Sequence, residues 1–214
     1  TVLSLRALSP AYVAPYARIG QDGNRAQNEI GISGAMCYAG FRNSQIRGFI
    51  DAFRHPRPTF RAAAPSLGWA AGLEWEHRRG AWGQLLRYRV KSKQQTIAGF
   101  APHLEFCTTH RLRARWSYER SRWSWQASLD ATAFHRQTRP QPRWGVMASF
   151  RSKVAISSIW QAACFGAAFS APDFSARLFA YEPQLRGRGA FPTFYGRGFA
   201  GVLLLQCKPS RHWI

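Results

Sequence analysis

In four segments between residues 67 and 136, apolar and polar side chains alternate position by position. Over 84–93 (QLLRYRVKSK) the even positions are Gln84, Leu86, Tyr88, Val90 and Ser92, while the odd positions include Arg87, Arg89, Lys91 and Lys93. The segments 67–77, 104–119 and 123–136 split the same way. One parity collects Trp69, Leu73 and Trp75, then Leu104, Phe106, Leu112 and Trp116, then Trp123, Trp125 and Leu129. Every Asp, Glu, Lys and Arg in these segments falls on the other parity. A period of two places successive side chains on opposite faces of a β-strand, so each segment predicts a strand with one apolar and one charged face.

The runs are longer than the 5–6 residues usual for globular sheets, and they match the reach of strands that cross a bilayer at a tilt. Tight connections are expected at HRRGA (77–81), at ERSR (119–122) and near Arg151–Lys153, with looser ones over 93–102 and 137–143. Short turns at one rim and longer loops at the other are a barrel habit. Further strands are expected at 11–19, 28–39, 45–54, 144–150, 154–165, 174–182 and 199–207. The whole chain, 1–214, reads as one domain of about 10–12 strands or as part of one. Residues 1–27 form a poorly readable lead-in, and 183–198 form a long link rich in Gly and Arg where a tight turn is due. That link holds either an extra strand or an inserted loop.

A sheet with one apolar face must hide that face. No amphipathic helix is evident to cover it. Turning it to lipid, with the charged face lining a closed interior, solves the problem and removes the sheet edges. The fold class expected is therefore all-β, an antiparallel up-and-down transmembrane β-barrel. A cation facing the bilayer midplane costs about 2–4 kcal/mol, so slipping 84–93 by one residue carries a penalty on the order of 10 kcal/mol. The alternative is a soluble sandwich or lipocalin-like barrel with the apolar parity inside.

Charge narrows the partners. Thirty Lys and Arg against ten Asp and Glu give a net charge of +20, a field that draws in anions, nucleic acid or an acidic membrane surface. Nine Trp fit a membrane interface, where one end of the ring is dry and the other wet. The expected location is the bacterial outer membrane and the expected partner is membrane lipid, with anionic solutes or lipopolysaccharide as candidate ligands. Nucleic acid takes second place, because its single-strand binders put rings and cations on one face, whereas Trp116, Trp123 and Trp125 oppose Arg111, Arg113 and Arg115. The chain opens at Thr1 without Met and stops soon after a Lys208–Arg211 turn, so it reads as a fragment or processed piece.

The basic rows Arg87, Arg89, Lys91, Lys93 and Arg111, Arg113, Arg115 are the candidate site: a positive patch on the lumen wall. The competing reading is a solvated wall partly neutralised by Glu74, Glu76, Glu105, Glu119 and Asp130. No metal site or cofactor is expected. The cysteines Cys37, Cys107, Cys164 and Cys207 lie far apart without a CxxC, and the six histidines show no i+2 or i+4 pairing. With no nucleophile elbow either, the chain is not expected to be an enzyme.

The stretch YEPQLRGRGAFPTFYGRGFAGVLLLQCKPS (181–210) resembles the closing part of bacterial outer-membrane β-barrel proteins that carry helix-hairpin-helix units ahead of the barrel. The resemblance rests on Tyr181–Glu182, Gly187, Phe191–Pro192, Tyr195–Gly196–Arg197–Gly198 and the aliphatic run at Leu203–Leu205. It implies location and architecture, and no chemistry. The helix-hairpin-helix units are not in this chain, so their DNA-backbone binding is not carried over. Within the motif, Tyr181, Glu182, Tyr195, Gly196, Arg197 and Gly198 are expected to pin the long link. Glu182 would accept from Arg197, with the glycines at positive φ.

Overall fold

The computed structural model describes residues 1–12, 27–97, 103–180 and 192–207. Its strands are β1 (Val2–Leu8), β2 (Glu29–Phe41), β3 (Ser44–His55), β4 (Ser66–Arg79), β5 (Trp82–Ile97), β6 (His103–Glu119), β7 (Trp123–Arg136), β8 (Arg139–Ala155) and β9 (Trp160–Ala171), followed by β10 (Leu178–Phe179), β11 (Thr193–Phe194) and β12 (Gly196–Cys207). β1 to β9 and then β12 form one ten-stranded sheet in chain order. Every pairing is antiparallel. β10 and β11 make a separate two-stranded ribbon. The expected all-β up-and-down meander is therefore present, but the sheet is open: β1 and β12 are its two edges.

Register sets the two faces. Trp75, Leu86, Ala114, Leu129, Ala148, Ala168 and Phe199 stand side by side in one row across β4 to β9 and β12. One residue along each strand, the neighbouring row reads Glu74, Arg87, Arg113, Asp130, Met147, Phe169 and Gly198, with Arg47 of β3 ahead of it. Alternation in the sequence has become two chemically distinct faces. The apolar one is uncovered over its full width, from Leu5 at 76% exposed through Leu129 at 53% to Leu203 at 80%.

Connections at one rim are tight, at Arg42–Asn43, Gly80–Ala81, 120–122 and 156–159. Asn43 and Gly80 take φ of 62° and 59°, the left-handed conformation that such reversals use. The opposite rim carries the longer connections 56–65 and 172–195, with the short Gln137–Thr138 turn as the exception.

Several boundaries differ from the sequence expectation: β5 runs on to Ile97 where a looser connection was expected from 93, and the strand expected over 154–165 is divided by the turn before β9. The turn foreseen near Arg151–Lys153 lies at 156–159, where the Ser157 hydroxyl oxygen accepts from the Ile159 and Trp160 N–H groups. The loose stretch foreseen over 137–143 is strand from Arg139 onward, because Pro140 and Pro142 sit at the start of β8, beyond its last registered pairs with β9. β1 lies within the lead-in that the sequence left unread, and the strand expected over 11–19 falls mostly outside the described residues.

The strand expected over 174–182 is, where described, a 3-10 turn followed by the two-residue β10, and the long link expected over 183–198 lies mostly outside the described residues. The described parts of this insertion, a 3-10 turn at Phe174–Ala176 and the β10–β11 ribbon, fold back onto the charged side of the sheet at β7 to β9. There Met147, Phe165, Ala167, Ala171, Leu178 and Phe194 form the main buried cluster. Gly145 makes this seat possible, since a Cβ there would stand 2.2 Å from the Ala176 carbonyl oxygen. Gly145→Val is therefore expected to lift the insertion and destabilise the protein by about 1–3 kcal/mol. The check is faster proteolysis within 172–180; unchanged cleavage would contradict the seating.

Asp173 caps the turn, accepting from the Ser175 N–H at 2.8 Å and the Ser175 hydroxyl at 2.5 Å, and it pairs with Arg143. The Ser175 bonds, ahead of Arg143, hold its carboxyl below the ordinary aspartate value. A depressed carboxyl stabilises above its unfolded pKa and loses that contribution as pH falls through the folded one. Amide protection at Ser175 is thus expected to be full above about pH 4 and to fade below it, read by hydrogen exchange.

Candidate anion-binding face

The seven predicted basic residues share one face, and register decides what each meets. Arg87 stands opposite Arg113, and Arg89 opposite Arg111. Like charges directly opposed are destabilising unless neighbours offset them. For the first pair they do: Glu74 accepts from Arg87 and, at 2.9 Å, from Arg47, and Asp130 accepts from Arg113 at 2.5 Å. Across β4 to β7 that row runs minus, plus, plus, minus.

The second pair has no such flank. Its row neighbours are Gly72 on β4 and Thr132 on β7. Among the described residues neither Arg89 nor Arg111 forms an ion pair. Instead Arg89 lies 5.6 Å from the centre of the Phe49 ring, and Arg111 lies 5.3 Å from that of Phe179 in the insertion. Lys91 lies over Phe53 at 5.8 Å. Glycines supply the room: a Cβ at Gly72 would stand 2.4 Å from the Phe49 ring, and one at Gly68 would stand 2.5 Å from that of Phe53. Rings therefore do reach the cationic face, a point the strand parities of the tryptophans had hidden, because the rings come from β3 and the insertion. A cation held over a ring keeps its full charge, so both Arg89 and Arg111, exposed in the structure, present uncompensated positive charge to solvent.

No family model, curated protein or solved structure matches the chain.

The expected neutralising acids divide by position. Glu74 and Asp130 meet the patch, while Glu76 pairs with Arg78 at 2.7 Å and Arg47 at 3.4 Å near the turn rim. Glu105, 3% exposed, pins the β7–β8 turn instead, accepting from the Thr138 N–H at 2.6 Å and its hydroxyl at 2.7 Å. Glu119 ends β6 at the rim, opposite Ser124. Arg115 pairs in register with Leu85 and Ser128, one row along from Arg113.

Of the closing motif, Tyr181 and Glu182 lie outside the described residues. Gly196 has φ of 82°, as expected, where the chain leaves the ribbon for β12. Gly198 is not at positive φ; it pairs with Phe169, whose ring would lie 3.4 Å from an added Cβ. Arg197 pairs with Ser170 on the apolar parity at the very start of β12, where a long side chain can reach the interface. Tyr195 packs edge-on against Phe174 at 5.4 Å. The four cysteines are all unpaired thiols, Cys107 buried and Cys37 and Cys207 exposed.

A cluster missed in the sequence ties the first three strands together. The Arg6 Nε donates to Glu29 at 2.6 Å, and its two terminal nitrogens donate to Asp51 at 2.8 and 3.0 Å. His55 stands 3.6 Å from the other Glu29 oxygen. The guanidinium lies over Gly31, where a Cβ would stand 2.6 Å from its Cζ.

Proposed function

We propose that the chain forms wall of a bacterial outer-membrane β-barrel with a basic lumen, in a structural role or as a passive passage for anionic and polar solutes. One observation carries this: among the described residues an apolar face spans all ten strands without cover, while the described part of the insertion packs on the opposite, charged face. In water that face exposes Ile, Leu, Trp and Phe strand after strand, far beyond the apolar patches of soluble monomers. In lipid it is satisfied.

Aromatic rings gather toward the turn rim, as an interface belt requires. Trp82 meets Tyr118 at 4.9 Å and Trp125 at 5.6 Å, and Tyr118 meets Trp123 at 5.8 Å. The resemblance of 181–210 to the closing part of outer-membrane barrels agrees with this reading. Within a bilayer the edges β1 and β12 must be paired, with each other or with further strands, because each unsatisfied backbone group in hydrocarbon costs several kcal/mol. Acyl chains then meet the apolar face and solutes meet the arginines.

Reversal potentials across a planar bilayer under a salt gradient test the proposal. Anion preference is expected, weakened in Arg89→Gln/Arg111→Gln; cation selectivity contradicts the basic lumen. A chain that stays in solution without detergent and binds a polyanion would instead be a soluble basic module.

A further inference from the structure

We propose that His110 and His135, with Tyr88 as a positioning residue, form an exchangeable site for a late first-row divalent metal ion, copper(II) foremost. The site lies on the apolar parity near the rim that carries the Gln137–Thr138 turn. The six histidines show no close spacing along the chain, but register brings these two together. His110 pairs with Ala133 of β7 and His135 pairs with Thr108 of β6, so the two imidazoles are diagonal neighbours on one face. Their rings stack with centres 5.5 Å apart and planes 18° apart. On the other side of His110, Tyr88 of β5 continues the diagonal, its hydroxyl 2.7 Å from Nδ1. An open hollow of about 450 Å³ lies over the three, bordered by Ala131, Ala133 and Trp144.

A neutral imidazole carries one donor nitrogen and one acceptor nitrogen, and the acceptor is what binds a metal. Tyr88 engages Nδ1 of His110. In the tautomer where Nδ1–H donates to the Tyr88 oxygen, the Nε2 lone pair is left for an ion, and the ring is held as metal-ligating histidines are held. Among the described residues His135 makes ring contact with His110 and no hydrogen bond. Its ring can turn about χ2, a broad torsion, and bring a nitrogen to the same ion. Alanine at 131 and 133 leaves the space above the sheet that an ion and its water ligands need. No third His, Cys, Asp or Glu joins the pair among the described residues. Permanent zinc sites use three or four protein ligands, so two imidazoles hold an ion that comes and goes, its other positions filled by water or an outside ligand. For such nitrogen donors affinity climbs along the first row to copper(II).

This goes beyond the membrane reading and rests on strand register, so failure of the site leaves the lipid-facing claim untouched, and the reverse holds. The test is titration of the purified chain in detergent with copper(II) at neutral pH, followed by electron paramagnetic resonance. Alkylating the protein beforehand removes the exposed thiols of Cys37 and Cys207 as competing ligands. A saturable site is expected whose spin-echo modulation reports two imidazoles. His110→Gln and His135→Gln are each expected to leave one imidazole and to weaken binding about tenfold or more, because the second nitrogen no longer binds as part of one chelate. Tyr88→Phe keeps the ring and removes the orienting bond, so it is expected to weaken binding about tenfold while two imidazoles remain. His77→Gln is the control: it lies at the turn rim beside Trp75 and Ser44, and a change of less than about twofold is expected. Two-imidazole modulation that survives either His110→Gln or His135→Gln, an equal loss in His77→Gln, binding that never saturates, or full affinity in Tyr88→Phe would each overturn the site.

Discussion

Leu129→Arg is expected to lower the stability of the bilayer-inserted protein by about 2–4 kcal/mol, the penalty of a cation on the lipid face near the midplane. Leu129 sits in the middle of β7, 53% exposed, between Ala114 on β6 and Ala148 on β8. The same change on a water-facing surface is worth no more than about 0.5 kcal/mol, so the magnitude discriminates. Gln45→Arg is the control: Gln45 is exposed on the charged face opposite Glu76 and accepts from Arg47 at 2.8 Å, so the new cation trades that bond for one with Glu76 and is expected to change stability by no more than about 0.5 kcal/mol. Denaturant titration from lipid vesicles reads both. A near-zero effect at Leu129 would mean that the face meets water.

Arg6→Leu is expected to cost more, about 3–5 kcal/mol, because it removes the guanidinium that pairs with two carboxylates at once in a dry place. Arg6 is 6% exposed and Glu29 1%, and among the described residues only Arg6 binds both Glu29 and Asp51 in the ion pairs of this cluster. Adding Glu29→Leu removes the more buried of the two carboxylates that Arg6 pairs with, so the double variant is expected to recover a good part of the loss. A single variant costing under about 1 kcal/mol would show that the cluster is solvated. β1 is an edge of the sheet, so the loss should appear first as exchange of the β1–β2 amides.

How much of this was legible depended on whether a strand has one covered face or two. β4 to β7 alternate cleanly because each has one apolar and one charged environment, and their registers follow the parity of Trp75, Arg87, Arg113 and Asp130. β9 and β12 do not alternate. WQAACFGAAFSA and GRGFAGVLLLQC are apolar on both parities, since the insertion packs on the side that elsewhere is charged. A two-sided strand reads as a plain apolar run, so the strand expected over 154–165 straddles the turn before β9, and the one expected over 174–182 is instead a 3-10 turn and the two-residue β10. The basic patch and the acids that could neutralise it were visible as charge, yet which acid meets which cation was not: Glu74 and Asp130 face Arg87 and Arg113 from neighbouring strands at positions that only register reveals. The Arg6–Glu29–Asp51 cluster joins residues far apart in the chain and leaves no local periodic mark. Phe49 and Phe53 reach their cations across glycines, so the signal lay in what Gly68 and Gly72 lack.

The central claim concerns which medium touches each parity of the wall. Nitroxide labels placed singly at 126–131 along β7 in reconstituted bilayers test it most directly, through collision with oxygen dissolved in lipid against a water-soluble nickel complex. The account predicts a period of two, with 127, 129 and 131 reporting oxygen and 126, 128 and 130 reporting the aqueous complex or protein packing. Nickel accessibility at 127, 129 and 131, or shielding of those positions from both reagents by a second protein layer, would contradict it.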